Sequence, residues 1–163
     1  MDKKQILDAI APCSLCCYTC PGMKNGIIAI TAKTLCHYFE GYYDFNRENL
    51  PERHQAYTEK MRQFTDQLEK QSNPTCNGCR DNTHGKCCIK GCFILECSLN
   101  HGVSFCAECK EFPCDKLTTD IFNPIVIAEW KKGNERIQEV GIEKFHEEIT
   151  SRSHYLPFKK QLK

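Results

Sequence analysis

Several things are scarce in this sequence, and each scarcity closes off a class of protein. No apolar run in its 163 residues approaches the roughly 18 needed to cross a bilayer. Neither sign of charge dominates: 22 Lys and Arg face 21 Asp and Glu, a net charge of +1. Nothing global therefore attracts a polyanion. Hydrophobic residues make up 40% of the chain, and that figure includes 14 cysteines, with one Trp and three Met. The ordinary apolar core is thin. The aromatic and isoleucine content still argues against a mostly disordered chain. No Ser-His-Asp constellation, phosphate loop, H-E-x-x-H or paired-carboxylate motif is visible.

A secretory leader is also missing from what can be read. Ile6 to Pro12 is a short apolar stretch broken by Asp8, whereas a leader needs roughly 7–15 apolar residues. The expected location is the cytoplasm, where thiols stay reduced. What the chain does have is cysteine, at a density that signals a Cys-dependent scaffold. In a reducing compartment such a pattern favours metal sites over structural disulfides.

The cysteines are grouped. Four lie in residues 13–20, one is Cys36, nine lie in 76–114, and none lies in 37–75 or 115–163. The expected organisation is a single domain over 1–163. An N-terminal Cys knot (13–20) is followed by a helical insert (25–75), a Cys-rich metal-binding segment (76–114) and a helical tail (115–163). In the insert, Leu50-Pro51-Glu52 resembles a helix start, and Tyr57, Met61, Phe64 and Leu68 share one helix face. Gln71 to Pro74 reads as its stop. Ile27 to Phe39 carries a weaker stripe, and Gly41 to Phe45 reads as a turn. In the tail, Asn123-Pro124 marks a break or a start. Asn134 reads as the cap of a segment with Ile137 and Val140, and Gly141 interrupts before Ile142, Phe145 and Ile149. The fold class is therefore small and α-rich (α+β at most), metal-stabilised, with a loop-dominated Cys-rich centre flanked by helices.

The chemistry lies in the cysteine spacing. Cys76-Asn-Gly-Cys79 and Cys106-Ala-Glu-Cys109 are two C-x2-C knuckles. Gly78 permits a tight turn that aims two sulfurs at one ion. Cys87, Cys88, Cys92 and Cys97 lie between the knuckles, and Cys114 follows. Zinc takes four N or S ligands, and this segment can supply two closed sites. Cys13, Cys17 and Cys20 add a C-x3-C-x2-C spacing that also suits an iron–sulfur cluster. That spacing resembles the radical S-adenosylmethionine signature, but Thr19 stands where that family has an aromatic. The chain is also too short for the usual partial barrel.

The run of motifs CSLCCYTCP, CNGCR, CCIKGC and FCAECKEFPCDKL resembles the cysteine-rich prokaryotic family called domain of unknown function 3795. The first family motif falls on Cys13, Leu15, Cys17, Cys20 and Pro21, with Ser14 where Gly is usual. The second falls on Cys76, Gly78, Cys79 and Arg80, and the last on Cys106, Cys109, Phe112, Pro113 and Cys114. Cys88, Cys92 and Cys97 sit where the family has cysteines; Cys16, Cys36 and Cys87 look additional. The resemblance spans roughly residues 12–150. It implies zinc binding and assigns no activity.

The expected ligands are thus Cys13, Cys17, Cys20, Cys76, Cys79, Cys88, Cys92, Cys97, Cys106, Cys109 and Cys114. The expected cofactor is Zn2+, with a [4Fe–4S] cluster as the alternative. The expected function is a metal-binding structural or interaction module. Its partner would be a protein, with Tyr38, Tyr42, Tyr43 and Phe45 as the surface to inspect. An iron–sulfur redox protein or thiol enzyme is the alternative. Cys36-His37 and Cys87 beside Lys86 are then the thiols to inspect, although sequence neighbours do not face each other on a helix. Nucleic-acid binding is disfavoured. Residues 76–114 are charge-balanced, and each zinc with four thiolates adds two negative charges. His84 and His101 lie among the cysteines, where sulfur is already in surplus.

Overall fold

The computed structural model describes residues 2–81, 88–153 and 155–159. The chain is helix-rich and divides into two compact units. One comprises Met1–Cys20 and Asn77–Lys163, and the other Pro21–Cys76. Two isolated β-bridges, Ile10 with Cys16 and Met23 with Cys76, are the strand-like pairings among the described residues.

The first unit begins with α1 (Lys3–Ala9), held by a capping box. The Asp2 side chain accepts from the Lys4 N–H, and the Gln5 side chain accepts from the Asp2 N–H. Helix α5 (Ile94–Asn100) follows within the Cys-rich stretch, which is otherwise mostly turns. Then come α6 (Pro124–Val140) and α7 (Ile142–Thr150). Asn123 and Pro124 start α6 rather than break it. The Asn123 side chain accepts from the Ile125 N–H, and Pro124 fills the first turn, where no N–H is needed. Gly141, at φ 78, ends α6 and turns the chain into α7. A last turn, α8, covers Leu156–Lys159.

Two apolar clusters form the core of this unit. Ile6, Ala9, Ile10, Phe105, Ala107, Ile137 and Phe145 make the first, joining α1, α6 and α7. Ala11, Cys13, Ile94, Phe122 and Trp130 make the second, and half-buried cysteines surround it. The side chain of Ser14 fills the space beside Gly133 in α6, where a Cβ would collide with it. That accounts for a glycine in mid-helix, a position that otherwise costs about 1 kcal/mol. Ser14 itself has φ 69, the left-handed region that favours glycine.

The second unit holds α2 (Ile27–Tyr38), α3 (Tyr42–Asn49) and α4 (Gln55–Ser72). A short 3-10 turn at Glu52–His54 precedes α4, so Pro51 starts that turn and the α-helix begins later than residue 50. The expected turn at Gly41 to Phe45 is instead the start of α3. Gly41 adopts φ 74, and the aromatics after it are helical. Helix α4 packs against α2 and α3. The buried side chains here are Met23 and the small or polar Ala29 and Ala32 on α2, Asn46 and Thr58. Phe39 meets Tyr42 and Phe64 edge-on. Tyr43 lies beneath the guanidinium groups of Arg47 and Arg62. Tyr38 and Phe45 are exposed.

Candidate metal centre

The geometry gathers four of the expected ligands from three local structures. Cys97 projects from α5, Cys106 opens a 3-10 turn (Cys106–Glu108), Cys109 closes that turn, and Cys114 follows the cis Phe112–Pro113 bond. All four line one hollow of about 30 Å3, with Phe112, Trp130 and Val103 as apolar walls. That volume suits a single ion or water rather than an organic substrate.

The knuckle is fixed by backbone and by α6. The Cys109 N–H donates to the Cys106 carbonyl (3.0 Å), and the Phe112 N–H donates to the Cys109 carbonyl (3.1 Å). The Glu108 carboxylate accepts from the Ser104 and Phe105 N–H groups at 2.6 and 3.2 Å. Asn134, fully buried, accepts from the Ala107 N–H (2.8 Å) and donates to the Trp130 carbonyl (2.8 Å). Gln138 donates to the Ala107 carbonyl (2.8 Å). Asn134 is therefore not a helix cap. It lies inside α6, one turn from Trp130, and clamps the middle of the C-x2-C turn.

The electrostatics of the hollow hold Cys106 towards its neutral thiol. Burial pushes the Cys106 thiol up, and the neighbouring Cys114, Cys97 and Cys109 raise it further, while the Trp130 indole pulls it down. The Trp130 Nε1–H is buried and completes no regular hydrogen bond among the described residues. It nevertheless lies close enough to the Cys106 sulfur to favour its thiolate. Lys116 stands near Cys97 and Cys114 and donates to Glu111 at 2.8 Å. His101 lines the same hollow but is exposed, on the side of Glu111.

A second set surrounds Arg80. Its Nε–H donates to the Leu7 and Ile10 carbonyls (3.1 and 3.4 Å), and an Nη2–H donates to the Ser104 carbonyl. The guanidinium carbon lies 4.8 Å from the centroid of the Phe105 ring. Burial pushes the Arg80 guanidinium's pKa down, and Cys17, Cys79, Cys13 and Glu108 pull it the other way. Gly78, before Cys79, adopts φ 87.

The remaining expected ligands are spread out. Cys20 and Cys88 lie beside Tyr155, whose phenol burial raises. Cys92 packs on the second apolar cluster, and Cys76 ends the other unit, exposed. Cys16 is buried next to Thr19, and burial pushes its thiol up. Cys36 lies half-buried on α2 in the second unit, and the neighbouring His37 turns to Glu40 (3.8 Å). His84, Lys86 and Cys87 fall outside the described residues. Among the described residues no group of three or more His, Cys, Asp or Glu side chains is already arranged to hold an ion.

Sequence reading missed Trp130, Asn134, Gln138 and Lys116. A signal existed: Trp130, Asn134 and Ile137 share one helix stripe, so an amide occupies an apolar position. A polar group there implies a buried partner.

The model of the family described as Protein of unknown function (DUF3795) matches residues 9–119. That is more than half of the chain, and the protein belongs to this cysteine-rich family. No curated protein and no solved structure matches the chain. Among the described residues no helix is long and apolar enough to cross a membrane.

Proposed function

We propose that the chain is a zinc-binding protein whose ion is held by Cys97, Cys106, Cys109 and Cys114. The observation that carries this reading is their convergence on one ion-sized hollow, under a buried indole N–H that has no regular acceptor. The backbone brings the four residues together, and each sulfur is one χ1 rotation from its other staggered positions. An N–H aimed at a metal-bound sulfur is a common outer partner of such sites and steadies the thiolate.

Four thiolates close the coordination sphere, so the ion is structural and leaves no open position for a substrate. The role is that of a structural module that joins α5, the 106–114 segment and α6. A hollow of about 30 Å3 admits one ion and not a cluster of four irons and four sulfides, which favours zinc over the iron–sulfur alternative. Zinc with four thiolates adds negative charge to a neutral segment, and this disfavours nucleic acid as the partner.

The test is the metal content of protein purified without oxygen or added metal. At least one zinc per chain is expected. Cys109→Ser and Cys114→Ser should each lose that ion and melt at lower temperature, because metal binding contributes directly to folding. Unchanged zinc content and melting in both variants would overturn the ligand assignment. Iron with visible absorbance would overturn the choice of metal.

A further inference from the structure

We propose that the hollow between α6 and α7 binds a small zwitterion, a free amino acid with an apolar side chain. This site is separate from the metal centre. Cys97, Cys106, Cys109 and Cys114 do not line it, and Cys16, which does, is none of the expected ligands.

The hollow follows from a gap in one helix face. Glu129, Lys132, Gly133 and Arg136 lie along one side of α6, at intervals of three, one and three residues. Gly133 carries no side chain, so that face is recessed at its middle. Phe145, Glu148 and Ile149 share one face of α7 and line the same space. Its floor comes from the loop after α1. There Ser14, held at φ 69, sets its side chain against Gly133, and Leu15 and Cys16 follow. Arg136 ties the two helices together, donating to both oxygens of Glu148 at 3.0 and 2.6 Å and to Glu139 at 3.0 Å. The volume is about 360 Å3, within the range of roughly 300–1,000 Å3 of small-molecule sites.

The lining defines the chemistry of the guest. Leu15, Phe145 and Ile149 supply an apolar base that a hydrocarbon side chain can cover. Four Glu and three Lys or Arg side chains stand around it, so neither a polyanion nor a polycation is favoured. Several of these charges already answer one another. Arg136 is taken by Glu139 and Glu148, and Glu135 lies 3.9 Å from Lys131. Among the described residues Glu129, Lys132 and Arg152 make no ion pair. Glu129 is half-buried, whereas Lys132 and Arg152 are exposed. Glu129 and Lys132 are three residues apart, a spacing at which such side chains can pair, and they remain apart. A guest with an ammonium and a carboxylate on one carbon answers both signs. Its ammonium donates to Glu129, and its carboxylate accepts from Lys132 and Arg152.

The experiment is calorimetric titration of the full chain with L-leucine, L-methionine and L-phenylalanine, followed by amide chemical-shift mapping. Saturable binding of at least one is expected, with shifts confined to residues 14–16, α6 and α7. Analogues of the bound amino acid that lack one charge should each bind about tenfold more weakly or worse. For leucine these are 4-methylpentanoate, without the ammonium, and 3-methylbutylamine, without the carboxylate. Glu129→Gln and Lys132→Met should each weaken binding about tenfold and keep the melting temperature of the unaltered chain. The analogue comparison on the unaltered chain decides the matter even where a variant fails to fold. No saturable binding of any of the three up to about 10 mM would overturn the site. So would shifts centred elsewhere. An analogue bound as tightly as its parent, or unchanged affinity in both variants, would overturn the recognition of a zwitterion.

Discussion

Residues 1–20 with 77–163 bury Phe105, Phe122, Trp130 and Phe145, whereas residues 21–76 bury nothing larger than Met23. The second unit leaves Tyr38, Phe45, Tyr57 and Phe64 exposed and covers two alanines, Asn46 and Thr58. The cysteines follow the same division: Cys36 and Cys76 belong to the second unit, and the other twelve to the first. The second unit, poor in cysteine, is built of helices brought close by small residues. The unit rich in sulfur has both an apolar core and long turn segments with few backbone bonds of their own. On the proposed reading, those turns are where a bound zinc would contribute most to order.

That contrast can be broken most forcefully by removing metal. Chelation should collapse hydrogen-exchange protection in α5, residues 105–114 and α6 while leaving α2 and α4 as they were. The effect should be large, since a structural zinc contributes on the order of 10 kcal/mol. Equal loss in both units, or no loss in either, would remove the distinction.

A smaller intervention separates the protein's own clamp from the metal. Asn134→Leu leaves the buried Ala107 N–H without its acceptor and should cost about 2 kcal/mol in a urea titration. It should also speed zinc release, because the 106–109 turn loses its anchor to α6. A loss of stability with unchanged release would make Asn134 a core residue only.

The Ser14–Gly133 contact gives a test by sign. Helix propensity alone would make Gly133→Ala stabilising by about 1 kcal/mol. The collision with the Ser14 side chain should instead make it destabilising by roughly 1–3 kcal/mol. Ser14→Gly should restore it, relieving both the collision and the left-handed φ. A stabilising Gly133→Ala in the presence of Ser14 would contradict the packing.

The smallest expected effect is one of pH. Arg136 donates to both Glu148 oxygens, at 3.0 and 2.6 Å, and holds that carboxyl below the usual carboxylate range. The folded state therefore binds the proton later than the unfolded chain does. The stabilisation is fully present above the unfolded carboxylate pKa of about 4.3 and fades as pH falls through the lower folded value. Arg136→Gln should flatten the acid limb of the stability profile slightly. An unchanged limb would show that the exposed pair contributes nothing.

Helices with local punctuation could be read directly from the sequence. Asn123-Pro124 and Gly141 bound α6, and the stop at Gln71 to Pro74 coincides with the end of α4. Elements defined by tertiary contact could not. Tyr42 to Asn49 has no apolar stripe to announce α3. Asn134 carries the residue type of a cap and the position of a core residue. The knuckles were visible as spacing, but the grouping of Cys97 with Cys106, Cys109 and Cys114 was not, because α5 brings it there. Arg80 was visible as part of a motif. Its role depends on carbonyls contributed by residues 7, 10 and 104, which no spacing reveals.

The central claim is that thiols of the first unit hold zinc. Its most direct test is metal analysis of anaerobically purified protein, with thiol alkylation of the same sample. The account predicts stoichiometric zinc, with Cys97, Cys106, Cys109 and Cys114 protected until a chelator is added. A folded, metal-free chain in which those four thiols react as readily as Cys36 would contradict it.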